Sequence, residues 1–292
     1  MNKELFKGVF PALMTPFDTQ GEIIWSAMEE YLEFCLSIGV KGFYINGSTG
    51  EFPYLTADER KKILEFVRKT VGSKAIIINH VGTTGTMQSV ELARHSADWA
   101  DAVSSVPPFY YSYSFDELFG FYKDVTEAAS LPMIAYHIPA LTGVSFSLEQ
   151  LAKLYTIDNV AGVKFTDTDF YMMERIKTIY PDKLIYNGPD EMILCGISMG
   201  ADGAIGSTYN IMYKKAAKIM ESVLNSDYTA AKKEQTEMNN VIQALLKVGV
   251  NPGCKYILDK KYGIYYGICR APRKQSLTDE DKQLLDSVIK YI

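Results

Sequence analysis

Lys164 stands inside an apolar run, Val160-Ala161-Gly162-Val163-Lys164-Phe165, whose β-branched and small residues read as a buried strand. Period-two alternation puts it on one face with Val160 and Gly162. Burial disfavours an ammonium ion, and a free amine held there can attack a ketone to form an imine. A strand-end lysine can equally snorkel to solvent or join a structural ion pair, so other residues have to decide. Tyr136 ends the run Met133-Ile134-Ala135-Tyr136-His137, just before the stiff turn Ile138-Pro139-Ala140. A phenol at a strand end can carry a proton, although in a chain with 20 tyrosines such a residue is ordinarily a packing group. His137 points to the other face and reads as a structural histidine. Gly47-Ser48-Thr49-Gly50 joins a strand to a helix and combines backbone freedom, two hydroxyls and an amide-rich helix start, which suits a carboxylate. No lysine follows it, so it is not a nucleotide phosphate loop. Asn187-Gly188-Pro189-Asp190-Glu191 and Gly206-Ser207-Thr208-Tyr209-Asn210 follow two further strands and together suit a polyol, although each alone is also ordinary turn and cap composition.

These groups can act together only if the strands that carry them end on one side of a sheet. Eight β-branched or aromatic runs, at 8–13, 42–46, 75–80, 102–106, 133–137, 160–165, 184–187 and 203–205, alternate with segments of helical period. Those segments lie at 26–38, 57–70, 86–99, 115–129, 148–155, 170–179, 191–199 and 210–225. Eight units without a dinucleotide glycine fingerprint predict a closed (β/α)8 TIM barrel, an α/β fold whose chemistry sits where strands end and βα loops begin. A barrel needs roughly 250 residues, and this chain has 292. The alternation stops after the eighth unit, where 228–248, 252–260 and 279–292 read as helices, the last opened by a Thr278 N-cap. The expected organisation is a catalytic barrel over 1–226 and a helical C-terminal extension over 227–292.

A net charge of −5 argues against a nucleic-acid partner. The apolar and charged fractions, 47% and 22%, are those of a soluble globular chain, and neither a signal-peptide core nor a membrane-length apolar run is present. The expectation is a cytoplasmic protein without a membrane partner. Four scattered cysteines and three unpaired histidines predict no disulfide and no metal.

The motifs at 47–51, 106–111, 136–144, 162–166, 186–191 and 206–210, in this order over almost the whole chain, resemble those of the N-acetylneuraminate lyases. These lie within the pyruvate-dependent aldolase superfamily that includes dihydrodipicolinate synthase. The resemblance implies that Lys164 forms a Schiff base with the substrate keto carbon and that Ser48 and Thr49 bind the pyruvyl carboxylate. Tyr136 takes the proton of the C4 hydroxyl as the C3–C4 bond breaks, and Thr166 orients the reacting hydroxyl or aldehyde. It further implies that sialic acid is cleaved reversibly to N-acetylmannosamine and pyruvate without any cofactor, with Gly188, Asp190, Glu191 and Ser207 holding the sugar tail. Tyr110 matches a tyrosine that a neighbouring subunit lends to the site, which implies a homotetramer. Leu141 stands where dihydrodipicolinate synthases usually carry a carboxylate-binding arginine, which counts against a second carboxylate on the substrate. His137, Pro189 and the stretch 249–253 depart from the pattern and bear on sugar preference. The competing readings are a pyruvate aldolase acting on 2-keto-3-deoxy sugar acids and a non-catalytic barrel that binds a keto acid.

Overall fold

In the computed structural model, which describes residues 2–292, the eight expected strands form one parallel sheet. They are β1 (Gly8–Pro11), β2 (Gly42–Ile45), β3 (Ile76–His80), β4 (Ala102–Ser105), β5 (Met133–His137), β6 (Val160–Phe165), β7 (Leu184–Asn187) and β8 (Gly203–Gly206). Each pairs with its sequence neighbour from β2 round to β8, and β8 pairs with β1. The seam between β1 and β2 closes through a parallel bridge between Ala12 and Tyr44, where the Leu13 N–H donates to the Tyr44 carbonyl at 2.8 Å. The molecule is a (β/α)8 barrel. Residue 1 of the barrel segment expected above lies outside the described residues.

The crossover helices are α1 (Trp25–Ser37), α2 (Ala57–Val71), α3 (Thr86–Ser96), α4 (Phe115–Ala129), α5 (Pro139–Thr142), α6 (Leu148–Leu154), α7 (Phe170–Ile179), α8 (Ile193–Ser198) and α9 (Tyr209–Leu224). Thr56, Ser114 and Ser147 start α2, α4 and α6 with reciprocal capping boxes, which satisfy amides that the first turn leaves without partners. The turn expected at 138–140 is the start of the one-turn helix α5, and the helix expected at 191–199 begins as a 3-10 turn, Asp190–Met192.

Two apolar layers follow from the alternation of each strand. One, between sheet and helices, contains Val9, Phe43, Ile45, Val163 and Phe165. The other fills the barrel with Phe10, Tyr44, Ile78, Ile134, Tyr136, Leu184, Tyr186 and Ile205. Val160, expected on the face of Lys164, packs in the outer layer instead. The β5–β6 register shifts between Met133 and Ile134, which pair with Val160 and Gly162, so Ala161 is an extra residue and alternation restarts after it.

Beyond the barrel, α10 (Tyr228–Val248) packs on α9, and α11 (Val250–Tyr262) and α12 (Asp279–Val288) follow. Gly249, at φ +104°, makes the corner between α10 and α11, a conformation that a side chain would strain. The helix α11 begins two residues before the expected 252, because Pro252 falls in the first turn, where a missing N–H costs nothing. Among the described residues, no helix is long and apolar enough to cross a membrane.

Candidate active site

Among the described residues two lysines are buried, and their surroundings differ. The Lys255 ammonium donates to the carbonyls of Thr15 at 2.6 Å and Ile268 at 2.5 Å, and lies 3.3 Å from Oε1 of the buried Glu51. Its charge is matched, as a structural buried cation requires. Lys164, 5% exposed, makes no side-chain hydrogen bond among the described residues. Its Nζ lies 3.9 Å from the ring centroid of Tyr136 and 4.6 Å from that of Tyr44. The nitrogen lies over these ring faces and stays free to engage a ligand.

The sheet explains this placement. Lys164 and Tyr136 are register partners on β6 and β5, both aimed into the barrel near the carboxyl ends of their strands. Below Lys164, a Cβ on Gly162 would lie 2.1 Å from the Leu184 carbonyl oxygen, so the backbones of β6 and β7 approach too closely for any side chain. Tyr44 is the site residue that the sequence reading missed. Its ring stands edge-on to Tyr136 and its hydroxyl donates to Ser104 Oγ at 3.1 Å.

The Tyr44 ring also meets the Gly47–Gly50 turn. A Cβ on Gly47 would lie 2.5 Å from Tyr44 Cε1, so one ring touches both the expected carboxylate cradle and, at 4.6 Å from its centroid, the lysine nitrogen. The turn is flanked by two non-glycine residues in left-handed conformation, Asn46 at φ +56° and Glu51 at φ +65°, and such strain persists only where the surroundings impose it. Asn46 Nδ2 donates to Asn79 Oδ1 at 2.8 Å and the Arg60 carbonyl at 3.0 Å. His80 Nε2 accepts from the Val106 N–H at 3.2 Å, so Nδ1 carries the proton and donates to the Asn46 carbonyl at 3.0 Å. Burial, with Arg60 beside it, holds His80 well below the usual histidine range and keeps it neutral. Among the described residues, no protein oxygen accepts from the amides of Ser48, Thr49 or Gly50, which leaves three successive donors for an anion. Thr49 Oγ1 lies 2.6 Å from Ser207 Oγ and joins this turn to the loop after β8.

The loops after β6, β7 and β8 meet around buried oxygens. Thr166 Oγ1 is buried without a partner, and a Cβ on Gly188 would lie 1.9 Å from it, so only glycine leaves that hydroxyl its place. Asp190 Oδ2 accepts from both the N–H and the hydroxyl of Thr208 at 2.7 Å. Its Oδ1 is buried without a partner. Burial pushes the carboxyl of Asp190 up to about 6, against the opposing pull of Thr208. Because the folded value exceeds the unfolded one, the native state binds the extra proton, and this residue's contribution to stability is lost as pH rises through about 6. The expected result for Asp190→Asn is a melting temperature that gains on the parent between pH 4 and pH 7, read by thermal denaturation across that range; a constant difference would contradict it. Glu191 is exposed, and its carbonyl accepts from Asn239 Nδ2 of α10 at 3.2 Å.

A family model, the dihydrodipicolinate synthetase family, matches residues 5–292. The chain belongs to this family. Within it, the chain is 41% identical to an N-acetylneuraminate lyase of Citrobacter koseri over 93% of its own length and 92% of that protein. A Clostridium difficile structure in complex with mannosamine superposes with a TM-score of 0.95 at 37% identity, covering 98% of this chain and 99% of that one. A catalytic-lysine mutant of the Ruminococcus gnavus sialic acid aldolase gives a TM-score of 0.95 at 31% identity, covering 99% and 96%.

Of the ten residues singled out from the sequence, this family member brings Lys164 and Tyr136 into contact and joins Thr49 to Ser207. Ser48 is half-buried beside Thr49, and Thr166 meets Gly188. Asp190 faces Thr208 rather than open space. Tyr110 stands apart, 85% exposed, its ring edge-on to Tyr111 at 5.0 Å and its φ at +110°. His137 stacks on Phe165 and lies 3.4 Å from Asp167 through Nε2, which fits the structural role expected of it.

Proposed function

We propose that the chain is a class I carbon–carbon lyase that cleaves N-acetylneuraminate reversibly to N-acetylmannosamine and pyruvate. The observation that carries this is Lys164 itself, a buried amine without an oxygen partner, lying against the ring of Tyr136. The relatives named N-acetylneuraminate lyase and sialic acid aldolase support the choice of substrate.

Lys164 Nζ adds to the substrate C2 ketone and water leaves, giving a protonated imine. Tyr136 takes the proton of the C4 hydroxyl, the C3–C4 bond breaks, and its electron pair moves through C3 and C2 onto the imine nitrogen. N-acetylmannosamine departs, C3 of the enamine is protonated in turn, and water at C2 releases pyruvate and the free amine. The amides of 48–50 and the hydroxyls of Ser48 and Thr49 hold the carboxylate, and Thr166 holds the reacting oxygen. Gly188, Asp190, Glu191 and Ser207 serve the sugar tail, with Asp190 fixing the β8 loop through Thr208. The exposed Leu141 on α5 offers no charge to a second carboxylate.

This reading places the catalytic barrel at 1–226 and the extension at 227–292, in a cytoplasmic homotetramer. For the tetramer, the support is Tyr110, a bulky exposed residue at positive φ, a strain that a neighbouring subunit's packing would offset. The test is pyruvate release from N-acetylneuraminate beside a panel of 2-keto-3-deoxy sugar acids, with sedimentation to give the oligomer. Preference for a sugar acid lacking the acetamido group would overturn the substrate, and a monomer would overturn the shared site.

A further inference from the structure

The C-terminal extension reaches the candidate carboxylate cradle directly. Asn251, in the first turn of α11 and 3% exposed, donates from Nδ2 to the Thr49 carbonyl at 2.8 Å. One turn later Lys255 holds Glu51, whose Oε2 accepts from the backbone N–H of Arg270 at 3.0 Å. The remaining carbonyls of the turn are held from within the barrel. Gly47 accepts from the Phe52 N–H at 3.3 Å, Ser48 from the Glu51 N–H at 3.2 Å, and Gly50 from Thr15 Oγ1 at 2.8 Å. Four successive carbonyls therefore have donors, and the Thr49 carbonyl depends on a side chain from outside the barrel.

A peptide unit is planar, so holding its carbonyl also fixes the direction of the N–H on its other side. The carbonyl of Thr49 and the amide of Gly50 share one unit. We propose that Asn251 is a positioning residue for the substrate carboxylate. It fixes the 49–50 peptide, and with it the Gly50 N–H, in the orientation that receives the anion, without touching substrate. This rests on the cradle and Schiff-base assignments above. Asn251 makes its hydrogen bond to the Thr49 carbonyl and none to Lys164, so the amine's own reactivity does not depend on it.

The experiment compares the full-length parent with Asn251→Ala and the similarly sized Asn251→Leu, trapping Lys164 with borohydride in the presence of pyruvate or of hydroxyacetone, a ketone without a carboxylate. The ratio of the two trapping rates in one preparation is independent of the fraction folded. The expected result is a half-saturating pyruvate concentration raised about tenfold in both variants while hydroxyacetone trapping stays within about twofold of the parent. Equal losses for both ketones, or no loss for either, would overturn the proposal while leaving the Schiff-base reading intact. A parent protein that traps neither ketone would overturn both.

Discussion

With Lys164 replaced by methionine, the expected result is a protein mass unchanged by incubation with pyruvate and borohydride, and a fall in pyruvate release from N-acetylneuraminate of at least about 10⁴-fold. Methionine preserves an unbranched apolar chain between the rings of Tyr44 and Tyr136, so the barrel interior keeps its packing and the loss reports the amine alone. Intact-mass spectrometry with peptide mapping checks the first half and a coupled assay the second. Substantial turnover in this variant, or a reduced adduct mapped to Lys255, would refute the assignment. The second outcome is disfavoured by geometry, because the three oxygen partners of Lys255 hold its nitrogen as a donor.

Tyr136→Phe separates proton transfer from imine formation. Its expected kcat is about 10² to 10⁴ below the parent, the range of a lost acid–base group, whereas the borohydride adduct of pyruvate on Lys164 still forms. The phenyl ring keeps its contact with the lysine and with Tyr44; only the hydroxyl is gone. Steady-state kinetics beside adduct formation distinguish the two steps. A kcat close to the parent would remove Tyr136 from the proton path, and loss of the adduct as well would show that the hydroxyl already acts in forming the imine.

Much of this arrangement is legible in the sequence because it obeys short-range rules. Eight strands of β-branched and aromatic residues with amphipathic helices between them define a barrel, and a barrel brings strand ends together, so Lys164 and Tyr136 meet although 28 positions separate their numbers. Where a local rule is broken, the reading fails. The extra Ala161 in β6 moved Val160 to the outer layer, and nothing in an all-apolar run marks which residue bulges. Tyr44 escaped notice because one tyrosine in an apolar strand resembles any other; its role comes from standing between two distant segments. The grip of Asp190 on Thr208 depends on two loops whose spacing no local pattern reveals. Lys255 reads as an ordinary helix residue and Asn251 falls in the stretch just before the expected helix, since Glu51 and Thr49, which they hold, lie more than two hundred positions away.

That distance has a consequence through thermodynamic reciprocity. A carboxylate on the Gly50 amide and the side chain of Asn251 grip opposite ends of one peptide unit, so whatever helix docking contributes to ligand affinity, the ligand returns to helix docking. On the proposed assignment, a keto acid in the barrel would thereby steady α11 and, through Lys255 and Arg270, the tail that follows it. Substrate supply would then set how readily a protease finds this extension.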